Sequence, residues 1–128
     1  MEEYRYRGKS VDDLSKLSLH ELIPIVNADL RRRLRRGFTP QEKTFLEHIE
    51  KAKAKGKPIR THLREMFILP SFVGLTINVH NGKEFVPITI KPNMIFHRLG
   101  EYVLTTKHVK HGSPGLSATR SSSFVPIK

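Results

Sequence analysis

The sequence predicts an α+β protein: a small antiparallel sheet built on a central hairpin with flanking short helices, a helical N-terminal extension and an extended basic C-terminal tail. Three observations predict it. Asn81-Gly82 separates two alternating apolar runs over residues 73–90, the strongest short-range signal of a hairpin. Ser10, Ser18 and Thr39 each stand three residues before an acid, the spacing that starts a helix. From Tyr102 onward the acids vanish, and with them any apolar period.

A type I′ turn at Asn81-Gly82 sets His80 against Lys83, Ile77 against Val86, Leu75 against Ile88 and Val73 against Ile90. The aliphatic pairs make one face a core face. The other carries Thr76, Asn78, His80, Lys83 and Phe85, donors, a cation and a ring that belong in water or against a partner. Phe85 there either stacks on a base or lies under a neighbouring loop. Pro87 falls opposite Thr76 at a hydrogen-bonded pair, where it has no N–H to give, so an edge strand or a bulge is expected.

In chain order, residues 1–9 read as a mobile polar arm and residues 10–58 as the helical extension. Ser10 and Ser18 open two short helices or turns, interrupted by Pro24. Asn27 or Asp29 caps the next helix, which spans residues 30–36 and ends at Gly37 as a left-handed cap. The clearest helix starts at Thr39 with Pro40 at its first position, buries Phe45, Leu46, Ile49 and Ala52, and stops at Gly56. Its acids come early and its lysines late, as the helix dipole favours.

The core is expected over residues 59–101, with the hairpin at residues 73–90. Within it a helical turn over residues 61–66 leads to an apolar strand, Phe67-Ile-Leu-Pro70, beside the hairpin. After the hairpin, a short helix opens at Lys91-Pro92 and closes at Gly100, facing Ile95 and Leu99 inward and leaving Asn93, His97 and Arg98 outside. Residues 102–128 form the tail, which carries four Lys or Arg, two His and no acid and is expected to order on a partner.

Twenty-three Lys and Arg against 12 Asp and Glu leave the 128 residues with a net charge of +11. Such a charge repels itself until a polyanion neutralises it, and RNA or DNA is the usual one. No run has the length of a membrane span, so a cytoplasmic protein is expected, without a membrane partner. Arg31, Arg32, Arg33, Arg35 and Arg36 crowd one helix with like charges that a phosphate backbone would relieve. Lys55 and Lys57 in an exposed loop, and Arg60 and Arg64 at the entry to the core, join this set.

Catalysis and cofactors find no support. Without cysteine there is no disulfide, thiol nucleophile or thiolate zinc site. His108 and His111 have metal-pair spacing, yet no third ligand follows Glu101, so both read as protonatable RNA contacts and no metal is expected. Walker A, dinucleotide and nucleophile-elbow motifs are absent. Two rival readings are a DNA-compacting chromosomal protein and a ribonuclease using His80 and His97.

Longer motifs narrow the choice. Val73-Gly-Leu-Thr-Ile-Asn-Val-His-Asn-Gly-Lys-Glu-Phe-Val-Pro87, His97-Arg-Leu-Gly-Glu-Tyr102, Val109-Lys-His-Gly-Ser-Pro-Gly115 and Ala118-Thr-Arg-Ser-Ser122 together resemble small-subunit ribosomal protein nineteen, continuously over residues 60–128. The N-terminal helices and the ending Phe124-Val-Pro-Ile-Lys128 are similar to the archaeal and eukaryotic branch, whose eukaryotic members were formerly numbered fifteen. Phe96 departs from a usually small residue and is expected to fill a gap or hold its helix off a neighbour. Val103 and Leu104 stand where many members have a small residue and proline.

The resemblance implies a structural, non-enzymatic constituent of the small subunit. It implies binding to the 3′ major domain of the small-subunit ribosomal RNA in the head, next to ribosomal protein thirteen, with the tail toward the decoding region and transfer RNAs. The large subunit then lies near, and no homo-oligomer is expected. Carried over by position, His80, Asn81, Gly82 and Lys83 at the hairpin tip, and His97, Arg98 and Gly100 after it, match RNA-facing motifs. Lys107, Lys110, His111, Gly112 and Arg120 match the tail.

Overall fold

The structure, a computed structural model, describes residues 3–112. Residues 113–128, with Arg120 and most of the expected tail, lie outside them. The class is α+β, as the sequence predicts.

The N-terminal segment opens with β1 (Arg5–Tyr6) and β2 (Lys9–Ser10), paired antiparallel where a mobile arm is expected. Tyr6 and Phe96 meet edge-to-face at 4.8 Å between ring centroids, so the buried Phe96 ring packs against this ribbon. Local hydrogen bonding then sets four helices in turn. The Ser10 side chain caps α1 (Val11–Lys16), and Ser18 with Glu21 forms a complete capping box on α2 (Leu19–Leu22). Asn27 caps α3 (Ala28–Arg36), and Gly37 ends it at φ 84°, ψ 164°, a positive-φ extended geometry rather than the left-handed cap expected. Thr39 and Glu42 box the start of α4 (Pro40–Lys55), and Gly56 closes it in the left-handed region.

Two apolar clusters hold these elements. Leu14, Leu22 and Leu30 of the first three helices, with Val26 from the turn before α3, pack on Phe67, Ile95 and Phe96. Phe45, Ile49 and Ala52 of α4 cover the sheet through Ile59, Ile77, Val79 and Ile88. Burying each large aliphatic or aromatic side chain contributes about 1.5–3 kcal/mol.

The sheet has three strands in the order β3 (Ile59–Thr61), β4 (Thr76–His80), β5 (Phe85–Thr89). Its hairpin is antiparallel, but the register differs from the expected one: Ile77 meets Ile88, Val79 meets Val86 and His80 meets Phe85. The cause is the turn. Asn81 does not take positive φ, and its side-chain oxygen instead accepts the N–H groups of Lys83 (2.9 Å) and Glu84 (2.8 Å), closing a four-residue loop. Because the slip is two residues, every side chain keeps its face; a slip of one would have inverted the sheet. Backbone bonds join Asn81 to Glu84 and Ile90 to Leu75, so alternation puts Pro87, opposite Asn78, at a non-hydrogen-bonded pair of the edge strand.

The third strand comes from an unexpected place. Phe67-Ile-Leu-Pro70 is buried but exchanges backbone bonds between Ile68 and residues Phe96 and His97, away from the hairpin. Ile59–Thr61 fills the free edge of β4, in parallel. Residues 62–66 form an irregular turn, not a helical one. The expected helix after the hairpin is two 3₁₀ turns, Pro92–Met94 and Leu99–Tyr102, parted by Phe96 at φ 64°. Ile95 and Leu99 point inward all the same.

Candidate nucleic-acid interface

Alternation along the three strands turns Arg60, Asn78 and Pro87 outward in one row, with His80 and Phe85 in the next. The chain leaving β3 adds His62 to this surface. His62 and His80 stack at 4.5 Å between centroids, both rings meet Phe85 edge-on at 5.1 and 5.0 Å, and the Arg60 guanidinium lies 5.6 Å over Phe85. Phe85 is thus half-covered, by Arg60 and His80 of the sheet and by His62 of the loop that follows β3. At the tip, Gly82 N–H donates to His80 Nδ1 at 3.0 Å, which assigns the imidazole proton to Nε2. Lys83 stays exposed.

The arginines divide by their partners. Arg31 donates to the Ile23 and Val26 carbonyls at 3.0 and 3.1 Å, fastening the turn before α3. Arg33 stands 3.7 Å from the buried Glu42 carboxylate that completes the α4 cap. Arg64 donates to the carbonyls of His80 (2.8 Å), Gly100 (3.0 Å) and Val103. Arg98 bridges Asp29 (2.6 Å) and Glu65 and lies 5.1 Å from the Phe67 ring centroid. Asp29 first, then its other carboxylate neighbours, holds the Arg98 pKa above its ordinary range.

These four residues hold the fold together. By contrast Arg32, Arg35 and Arg36 are exposed and, among the described residues, form no ion pair. With Ala28 and Arg31 they line a groove of about 440 Å³ on the outer face of α3. Lys55 is exposed as the last residue of α4, in the helix rather than the loop expected, and Lys57 is exposed just past Gly56, as are Lys107, His108, Lys110 and His111 after Val103. His97 is exposed and shares a 2.9 Å hydrogen bond with Glu101. Gly100 sits against Arg64, where an added Cβ would come within 3.0 Å.

Sequence reasoning missed a second groove, of about 460 Å³, between α4 and β3, lined by Gln41, Thr44, Phe45, His48, Arg60, Thr61, His62 and Leu63. Its signal was the alternation of Arg60 and His62 around the buried Thr61, which becomes visible once a strand is placed there.

Comparison with known proteins identifies the family. The family described as Ribosomal protein S19 matches residues 32–111. The small ribosomal subunit protein uS19 of Saccharolobus solfataricus is 48% identical, over 98% of this chain and 91% of that protein. Family and relative explain why a small fold leaves so much positive charge unpaired among the described residues. The chain belongs to the ribosomal protein S19 family, and it is a structural constituent of the small ribosomal subunit in the cytoplasm, not an enzyme.

Proposed function

We propose that this protein binds the 3′ major domain of the small-subunit ribosomal RNA in the head, beside ribosomal protein thirteen. Its residues 102–128 run toward the decoding region and the transfer RNAs. The motifs at residues 73–87, 97–102 and 109–122 support that placement.

One structural observation carries the RNA contact. The acids near α3, Asp29, Glu42 and Glu65, are engaged by Arg33 and Arg98, which leaves Arg32, Arg35 and Arg36 as uncompensated charge on a rigid helix. The hairpin tip presents Lys83 in the same way, on a turn that Asn81 stiffens. Such cations bind phosphates by releasing counterions, so log K falls with log salt at about −0.7 to −0.9 per phosphate neutralised. Specificity comes from the shape of the folded RNA, because an A-form duplex hides its base edges in a deep groove.

The test is fluorescence anisotropy against a labelled 3′ major-domain fragment, with random RNA of equal length and duplex DNA as competitors at physiological salt. The fragment is expected to win by roughly a hundredfold or more. Equal competition by all three would refute recognition of a specific RNA fold.

A further inference from the structure

We propose that the groove between α4 and β3 receives one unstacked nucleotide of the ribosomal RNA, its base against His62 and its edge read by Gln41 and His48. This deepens the RNA-binding reading above and rests on it. The groove, about 460 Å³, has the size of a small-molecule site and an apolar floor in Phe45 and Leu63.

Its walls suit a nucleotide in particular. His62 is exposed, and His80 backs its ring at 4.5 Å while Phe85 meets it edge-on, so the imidazole is held as a fixed platform. Bases stack on imidazole and other aromatic rings in this way, and the contact tolerates any base. Gln41 and His48 are exposed on α4, and neither makes a side-chain hydrogen bond to another described residue. An amide and an imidazole with free donors and acceptors can match the Watson–Crick edge of a base held on the platform.

Charge points the same way. No carboxylate lines the groove, Arg60 stands at its rim, and Glu47 on the neighbouring turn pairs with Lys51 at 3.9 Å. A phosphate following the base finds the Arg60 guanidinium without repulsion from an acid in the wall. A double-stranded segment cannot enter, since its bases are stacked and paired, so the site selects a bulged or looped nucleotide.

The experiment uses the full chain. Wild type and the Gln41→Ala, His48→Ala double variant are titrated against the labelled 3′ major-domain fragment. The histidine ring signals of the wild type are also followed by NMR during addition of a single-stranded hexa-adenylate, with a duplex of the same length as control. The double variant alters only exposed positions of α4, so its circular dichroism should match the wild type. It is expected to bind the fragment at least about fivefold more weakly with an unchanged salt slope, because stacking and edge contacts carry no counterions. Arg60→Ala should instead make the slope shallower. The single strand should shift the His48 and His62 signals, and the duplex should not. If the wild type prefers the fragment and the double variant matches it, the nucleotide site is refuted while the RNA-binding reading survives. Such a result, with unmoved histidine signals, would leave the groove to a protein neighbour. A wild type without preference for the fragment refutes both.

Discussion

Arg98 donates to the Asp29 carboxylate at 2.6 Å, joining the first turn of α3 to the segment after the hairpin across 69 positions of sequence. The same guanidinium engages Glu65 and lies against Phe67. This side chain therefore joins Leu30 and Arg33 in setting how the arginine-bearing helix sits on the core. Asp29→Ala should lower stability by no more than about 1 kcal/mol, because the carboxylate is 59% exposed. Arg98→Lys should cost more than Asp29→Ala, since an ammonium cannot bridge two carboxylates and cover a ring as a planar fork does. Urea midpoints of the two variants decide the order.

The hairpin tip should separate stability from binding. Asn81→Ala removes the acceptor for two backbone N–H groups and should cost about 1 kcal/mol. Asn81→Asp keeps the acceptor and should restore most of the melting temperature. It also brings a negative charge to the surface proposed to meet phosphate, so its RNA affinity should fall. Recovery of both properties, or of neither, would contradict the roles assigned to the turn.

Lys83→Glu should weaken binding of the 3′ major-domain fragment with an unchanged circular dichroism spectrum, because the side chain is exposed and makes no ion pair among the described residues. The dependence of log K on log salt should become shallower by about 0.7 to 0.9 for each phosphate that is no longer neutralised. Unaltered affinity would remove the tip from the interface.

Gly100→Ala tests a close approach. The added methyl would stand 3.0 Å from both the Cβ and the carbonyl oxygen of Arg64, so Arg64 must give by a few tenths of an ångström and its bonds to three carbonyls are strained. A loss of about 1–3 kcal/mol is expected. Faster hydrogen exchange in the strands next to the tip should accompany it.

Acid should loosen the N-terminal helices first. The Ser18 backbone N–H and then its hydroxyl hold the Glu21 carboxyl below its ordinary pKa of 4.5, and the Ser10 hydroxyl does the same for Asp13 below 3.8. Both groups bind protons less readily folded than unfolded. Their stabilisation is therefore complete above those ordinary values and is lost as the pH falls through the lower, folded ones. Hydrogen-exchange protection in α2, taken relative to the intrinsic rate at each pH, should fall on acidification in the wild type and lose that dependence in Glu21→Gln. An equal pH response in both proteins would exclude the capping carboxylate as its cause.

What could be read in advance was local. Ser18 with Glu21 and Thr39 with Glu42 announce their helices because cap and acid lie three residues apart and bond each other. The faces of the hairpin were legible because alternation survives an even slip, while its register depended on where one asparagine oxygen pointed. The strand Ile59–Thr61 escaped notice because three residues carry too little period and its partner, in parallel, is remote. Candidate site residues blurred for the same reason. Arg31 and Arg35 look alike in the sequence, and only carbonyls brought close by folding show that Arg31 serves the structure.

Arg64 also acts as a caliper. By gripping the carbonyls of His80, Gly100 and Val103 together, it fixes the gap between the loop at one end of the sheet and the point where the tail departs. Neither jaw can open without breaking bonds to the same guanidinium. An RNA that touches both must present its two contacts at that spacing, and a nucleotide inserted between them would have to be absorbed by the RNA alone.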